Sequence, residues 1–332
     1  MLLGEQPQAA EPGLRRRTHD EPVSIAYRAP PKGGLAYRLV VEYSGEHESA
    51  AEPGRQSVPP AHETHLLELE YRELPAGGRD DVLLFALDAL HYRLAQDAPK
   101  AEREIELGDD RLRIREGSEI VTDLRGAQPK EDLTPRKLLG QIIGSARVDP
   151  AGSLSGLQPR GAPVARRFVA ELPVARALAY ARPAFPDQPV RPGARWSSSR
   201  FPVGPAGSLG LALALDYTLT GFQDVDGVPC AWILFSAGHD GERVRSAAGF
   251  DFDRVVASLR GEAFVELESA QLRLLRLDDE IRAVYTIGAP PAPVRTHRLR
   301  HRSQLRLERV ASGLPGAGEA SWADGSPRFG PR

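Results

Sequence analysis

A chain of 332 residues, 41% hydrophobic and 27% charged, is long enough for two ordinary domains and apolar enough for a sizeable core. Its formal net charge of −2 excludes a molecule-wide attraction to nucleic acid or anionic lipid, and its single cysteine, Cys230, excludes an intrachain disulfide. No stretch approaches the ~18 apolar residues of a membrane-spanning helix. Asparagine is absent and arginine far outnumbers lysine; this skew reads as a GC-rich genome, not as a functional signal.

Residues 1–30 are polar, proline-rich and aperiodic, and read as a disordered leader. The start, Met1 to Glu5, is too short for the apolar centre of a secretory signal, though it would suit the tail of one beginning upstream. The stretch 311–332 has the same character and places Trp322 in solvent.

Between these ends the dominant period is two. Leu35, Tyr37, Leu39, Val41 and Tyr43 alternate with smaller or polar residues. So do Leu67, Leu69 and Tyr71, set against Glu68 and Glu70. Val82 to Leu94 is a longer apolar run. Arg111 to Arg115 follows a tight Gly108-Asp109-Asp110, and Ile120 to Leu124 adds a short strand. This is the pattern of antiparallel strands with one wet face.

The period then changes. Thr134-Pro135 has the form of an N-cap followed by proline at the first helical position. Leu138, Leu139, Ile142 and Ile143 fit a helical stripe that Gly144 ends. Residues 147–152 read as a short strand and turn, and 163–181 as helix interrupted at Pro173.

Strands return after Trp196. Leu211, Leu213, Leu215, Tyr217 and Leu219 share a face, Asp226-Gly227 signals a hairpin, and Cys230 to Ser236 is its partner. The segments 261–268, 271–277, 281–287 and 296–310 read as a four-stranded meander. The two halves echo one another: Gly34-Leu35-Ala36-Tyr37 and Gly193-Ala194-Arg195-Trp196 each place glycine three residues before an aromatic, after proline-rich sequence. Trp196 therefore reads as the first large residue of a strand, packed rather than ligand-facing.

The expected fold is mainly β, a β-rich α+β chain. Two related curved antiparallel sheets or half-barrels flank a small helical insert at about 134–181. The first half spans 31–160, with a helix near 134–143, a helical linker fills 161–188, and the second half spans 189–310.

Each candidate for chemistry has a plainer reading. His62-Glu63-Thr64-His65 resembles a zinc-protease helix motif, but its histidines are three apart instead of four and run into a strand. Asp224-Val225-Asp226-Gly227 starts like a calcium loop, then continues with Val228-Pro229-Cys230 and fits a hairpin turn better. Gly152-Ser153-Leu154-Ser155-Gly156 lacks a serine at the centre of a nucleophile elbow. Asp251 and Asp253 share a strand face with no histidine nearby. Cys230 reads as a small buried apolar residue. The arginine face of 295–306 reads as solvated and paired with Glu266, Glu268 or Glu280, and it lacks the aromatic interleaving of base stacking. No catalytic set, metal site or cofactor is expected.

The stretch from Ala179 to Trp196, AYARPAFPDQPVRPGARW, resembles a recurring proline-rich segment ending in Gly-x-x-Trp. That segment occurs in a family of uncharacterised bacterial exported proteins and lipoproteins of myxobacterial type. Gly34 to Tyr37, the turn Asp149-Pro150-Ala151-Gly152, the strand Tyr217 to Gly221 and the Asp226-Gly227 hairpin fit the same pattern, which covers roughly residues 30–310. The family's pattern is similar to the LolA/LppX-like lipoprotein carriers, in which helices cover a strongly curved antiparallel sheet and the apolar concave face holds acyl chains. The chain departs from the family at its start, where neither a complete signal peptide nor a lipobox cysteine stands.

The family has no assigned activity. The resemblance implies an exported cell-envelope protein that binds a hydrophobic or lipid-like ligand between sheet and helices, or meets another envelope protein. The lack of a convergent nucleophile and base makes it non-enzymatic, against a hydrolase as a further alternative. The lining candidates are Leu138, Leu139, Ile142, Ile143, Leu213, Leu215 and Tyr217. The alternatives are a structural or protein-interaction module in which those residues are ordinary core, and a cytoplasmic location.

Overall fold

Period-two alternation becomes long strands because each strand has one face to bury and one to solvate. The computed structural model describes residues 15–17, 21–49, 61–77, 79–97, 100–126, 134–152, 154–163, 166, 178, 182–203, 211–245, 251–287 and 295–310. The first block comprises β1 (Arg15–Arg17), β2 (Leu35–Ser49), β3 (Ala61–Ala76), β4 (Arg79–Asp97), β5 (Lys100–Gly108), β6 (Arg111–Glu116) and β7 (Glu119–Arg125). Two shorter strands follow, β8 (Ile142–Val148) and β9 (Leu154–Pro159). The second block comprises β10 (Arg195–Val203), β11 (Leu211–Val225), β12 (Val228–Arg245), β13 (Asp251–Glu266), β14 (Leu272–Ile287) and β15 (Arg295–Arg309).

All fifteen belong to one antiparallel sheet, ordered β1-β11-β12-β13-β14-β15-β2-β3-β4-β5-β6-β7, with β10 also on β11 and β8 on β4. The chain is mainly β, as expected, but its halves are joined. The last strand pairs with the first long one, Leu305 with Val41 and Leu307 with Leu39, so two sheets become one. Inward side chains of both halves, among them Leu39, Leu69, Phe85, Leu215, Ile233, Val255 and Ile281, form one hydrophobic cluster. No helix among the described residues is long and apolar enough to cross a membrane.

Turn chemistry follows the sequence. Asp226 and Gly227 both have positive φ, 51° and 80°, and link Val225 to Val228 in a two-residue hairpin of the kind that matches strand twist. Asp109 and Asp110 do the same between Gly108 and Arg111.

Three expectations are corrected. The helix near 134–143 is a single 3-10 turn at Pro135–Lys137, and Ile142 and Ile143 already belong to β8. The reason lies in β4, whose 19 residues outrun β5. β5 pairs only Leu90 to Asp97, which leaves the edge at Val82 to Ala86 for β8. Gly140, at φ +69°, turns the chain onto that edge, and its amide donates to the Leu87 carbonyl at 2.7 Å.

Next, 271–277 and 281–287 are one strand, because Asp278, Asp279 and Glu280 continue β14 instead of turning. Last, 21–30 is not a disordered leader: Val23 pairs with Val190, Ile25 is buried, and the Gln271 amide donates to the Arg28 carbonyl at 2.6 Å. Of the linker 161–188, positions 163, 166 and 178 are helical and 182–188 is extended or bent; 164–165, 167–177 and 179–181 lie outside the described residues. So do 1–14, 18–20 and the tail 311–332 with Trp322.

Segments 21–30 and 182–192 cross one end of the sheet and close the seam between its flanks. Phe185 donates its amide to Ala151 beside β8 and β9. Ala184 accepts from the Trp196 indole at 2.9 Å, and its amide donates to the Tyr217 hydroxyl at 3.2 Å on the other flank. Under these segments Arg182 pairs with Glu73, both side chains buried. Burial of an ion pair is stabilising only when both partners are present. This end is the capped end; the other is the far end.

Candidate functional site

The seven lining candidates do not gather around one cavity: of them Tyr217 alone, with Trp196 and Phe235, lines an open groove of about 1360 Å³. Leu138, Ile143, Leu213, Leu215 and Tyr217 are members of the buried cluster, and Leu139 packs on it. Ile142 is half-buried at the start of β8. Tyr217 lies under Trp196 with near-parallel rings, and desolvation pushes its hydroxyl up to about 12. The two groups of candidates sit on the two flanks of the seam. Trp196 is a strand residue locked to Ala184, in line with the packing role read from its spacing.

Other singled-out residues find structural roles. His62 and His65 lie three apart on a strand, so they face opposite ways. Asp253 accepts from the Thr286 hydroxyl at 2.7 Å, and Asp251 faces Arg245. Cys230 is fully buried; burial and then Glu266 push its thiol up to about 12, which leaves no thiolate at neutral pH. On the arginine face of β15, Arg300 and Arg302 reach Glu280 and Arg298 reaches Glu48. Such solvated pairs contribute little each.

Two polar groupings remain. On the outer face a groove of about 530 Å³ is lined by Arg38, Glu68, Glu70, His91, Glu106 and Arg113, among others. His91 and Glu106 of this lining, with Glu104, bring potential metal-ligating atoms within 4.8 Å of one another. Their carboxylates are already engaged: Arg115 donates to Glu104 at 2.9 Å and Arg113 to Glu106 at 3.3 Å. A cation there would have to displace two guanidinium contacts.

The second grouping lies on the inner face, towards the far end, where the apolar stripe gives way to histidine and tyrosine. Three adjacent strands supply it. β15 contributes His297 and His301, β2 contributes Tyr43 and His47, and β3 contributes Glu63 and His65; Tyr92 of β4 and Tyr285 and Asp279 of β14 flank them. Even spacing along each strand keeps these side chains on the face that carries Leu39, Leu69 and Leu305 deeper in.

The inner tier is a directed hydrogen-bond chain. A carboxylate can only accept, so the Tyr43 hydroxyl donates to Glu63 Oε1 at 3.1 Å. His301 Nδ1 therefore donates to the Tyr43 oxygen. Burial, above all, holds the His301 imidazolium form off and brings its pKa down to about 4. Glu63 is held down to about 2, chiefly by His65 and next by the Gln96 amide, against the cost of burial. His65 Nδ1 meets the Tyr92 hydroxyl at 2.9 Å, while its Nε2 lies 3.7 Å from Glu63, beyond hydrogen-bond length. Asp279 is buried beside them, and desolvation raises its carboxyl to about 6.

The outer tier is His47, His297 and Tyr285. The His47 Nε2 atom lies 3.2 Å from His297 Nδ1 and 3.1 Å from the Tyr285 hydroxyl. The two imidazoles stack at 5.2 Å, and His297 stacks on Tyr285 at 5.0 Å. All three side chains are half-buried. Some apolar neighbours on this part of the inner face, Val41, Leu94, Ala237, Val244 and Leu299, are also only half-buried, whereas Phe252, Val255 and Ala283 beside them are sealed.

No single segment of the sequence announced this band. Its members are scattered from position 43 to 301, and only the strand register aligns them. Odd-parity histidines at 65, 297 and 301 within predicted strands, and at 47 just beyond one, were the available signal.

No family model matches the chain, and no curated protein matches it. Among solved structures, a lipovitellin structure described for its lipid–protein interactions is similar over 86% of this chain, at 9% identity and a TM-score of 0.43. The chain spans about a quarter of that protein, 26% of its length. Pseudomonas aeruginosa OpdQ aligns over 84% of this chain and 98% of its own, at 8% identity and a TM-score of 0.16.

Proposed function

We propose that this chain is a non-enzymatic binding protein of the bacterial cell envelope that takes a hydrophobic, lipid-like ligand against the inner face of its sheet. The observation that carries the reading is a set of half-buried apolar side chains on that face. Val41, Leu94, Ala237, Val244 and Leu299 are half-buried, although Phe252, Val255 and Ala283 on the neighbouring strands are sealed. Half-buried apolar surface facing other apolar surface gains about 25 cal/mol for each Å² that a ligand removes from water. The ligand seat thus moves from a space under helices to the far end of the inner face. Location in the envelope rests on the resemblance of the Ala179 to Trp196 segment to exported proteins.

A second reading has its own support: the original lining candidates Leu138, Ile143, Leu215 and Tyr217 are packed as core. That is what an interaction module with a filled interior requires.

Native mass spectrometry on protein from a lipid-containing host, followed by solvent extraction, separates the two. The carrier reading expects an added mass that extracts as lipid and is lost in Leu299→Glu or Val244→Glu. A clean apo mass, unchanged by incubation with fatty acid or phospholipid, overturns it and leaves the filled-core module.

A further inference from the structure

We propose that the outer face of β11 to β14 holds a site for a neutral oligosaccharide, with Trp232 as its stacking platform. The inference is independent of the ligand reading above. It starts from an indole supported on one side and open on the other. Trp232 lies parallel to Phe264, planes 3° apart and ring centroids at 6.2 Å, and its Nε1 donates to Glu262 Oε2 at 3.1 Å. Both contacts come from β13. On the other side, the partner of Trp232 across the ladder is Gly221 of β11. A Cβ at Gly221 would have nothing within 4 Å, so the indole leans away from it and leaves a notch bare of side chain. The ring is half-buried, fixed in orientation by β13 and uncovered towards that notch.

Next along the same face of β12 is Leu234, an apolar side chain 40% exposed, which lines the open groove of about 1360 Å³. Glu262 lines it too, and so joins the indole to the groove. Successive side chains on one strand face are about 6.8 Å apart, a step comparable with one sugar unit. The groove's charge is balanced: Arg195, Arg260 and Arg276 stand against Asp216, Glu262 and Asp278. Arg276 donates to Glu262 Oε1 at 3.1 Å, and Arg260 lies 3.8 Å from Asp278. A charged ligand would have to break such pairs with no net field in its favour. A hydroxyl donates and accepts at once, so it can join both partners of a pair without separating them. An aromatic face and an exposed leucine beside such donors and acceptors suit a ligand with C–H faces and hydroxyl rims. The groove beside His91 is the competing location, and its lining holds charge but no Trp, Tyr or Phe among the described residues.

The test uses the full chain and four neutral probes at millimolar concentration: cellotriose, maltotriose, mannotriose and tri-N-acetylchitotriose. Calorimetric titration is expected to show one equivalent of at least one probe bound. Binding is expected to weaken at least about tenfold in Trp232→Ala and in Gly221→Val, which fills the notch and leaves Phe264 in place, and to be unchanged in His91→Ala. In the wild type, the bound probe is expected to shift the indole N–H resonance that Trp232→Phe removes, which does not depend on Trp232→Ala folding. The proposal is overturned if the wild type binds none of the four, or if Trp232→Ala and Gly221→Val bind as the wild type does. It is equally overturned if that indole resonance does not move, if His91→Ala alone abolishes binding, or if the anionic trigalacturonate binds more tightly than all four.

Discussion

Trp196 lies flat on Tyr217, ring centroids 5.5 Å apart and planes 6° from parallel, much as Tyr37 lies on Tyr71 at 5.7 Å and 28°. Each stack continues to a phenylalanine one strand further, Phe235 in the second half and Phe85 in the first. Each begins three residues after a glycine with positive φ, Gly193 or Gly34. The two entering strands therefore share a local plan: a turn, an aromatic on the entering strand, and a ladder of rings across the next two.

The plan is kept with one difference that can be measured. The Tyr217 hydroxyl accepts the Ala184 amide, whereas the Tyr37 hydroxyl is buried without a hydrogen-bond partner. A buried hydroxyl that makes its bond contributes about 1 kcal/mol, and one that does not is a net cost. Tyr217→Phe is expected to lower unfolding free energy by about 1 kcal/mol, and Tyr37→Phe to leave it equal or raise it. Urea unfolding of both variants checks this, and equal losses would show that the two hydroxyls are not distinguished in this way.

Much of this architecture is legible from alternation alone. Runs such as Leu35 to Tyr43 and Leu211 to Leu219 have one face to bury, and the Asp226-Gly227 turn could scarcely be anything else. The misreadings share a cause: a short local pattern was overruled by a neighbour distant in sequence. Leu138, Leu139, Ile142 and Ile143 fit a helical stripe, but the vacant edge of β4 recruits Ile142 onwards as a strand. Asp278-Asp279-Glu280 looks like a turn until Glu280 meets the arginines of β15. The His47, His297 and Tyr285 trio could not be read at all without the register, because 250 residues separate its two histidines.

Glu73 and Arg182 offer a direct view of how the cap is held. Both side chains are buried, and Arg182 also lies over the Tyr27 ring at 5.7 Å. Removing either charge alone strands the other in an apolar setting, at a cost of about 3–5 kcal/mol. Glu73→Leu and Arg182→Met are each expected to destabilise by that amount, and the double variant to recover most of it. A double-mutant cycle with little coupling energy would mean that the pair does not work as a unit.

Gly261 shows where the sheet tolerates no side chain. A Cβ there would fall 2.4 Å from Phe235 Cζ and 2.6 Å from the Arg276 carbonyl oxygen, one of them backbone that cannot swing away. Gly221, at the irregular pairing between β11 and β12, has nothing within 4 Å of such an atom. Gly261→Ala is expected to cost about 1–3 kcal/mol, and Gly221→Ala to stay within about 0.5 kcal/mol of the wild type. Thermal melts of the two variants side by side provide the measurement.

Asp279 gives the protein a pH dependence whose sign is fixed by burial. Desolvation raises its folded-state carboxyl to about 6, against about 3.9 in an unfolded chain. Between those values the folded state binds the proton more tightly, so stability from this group is present at low pH and is lost as pH rises through 6. A shift of this size corresponds to roughly 2–3 kcal/mol at neutral pH. His301 acts in the opposite sense: its pKa is brought down to about 4, so its contribution is lost as pH falls from about 6.5 towards 4. Comparing Asp279→Asn with the wild type at each pH cancels the histidine term. The variant is expected to melt higher at pH 8, with the advantage shrinking through pH 6 and vanishing near pH 4. An advantage that persists unchanged at pH 4 would trace to packing, and no advantage at pH 8 would show that the Asp279 carboxylate is solvated after all.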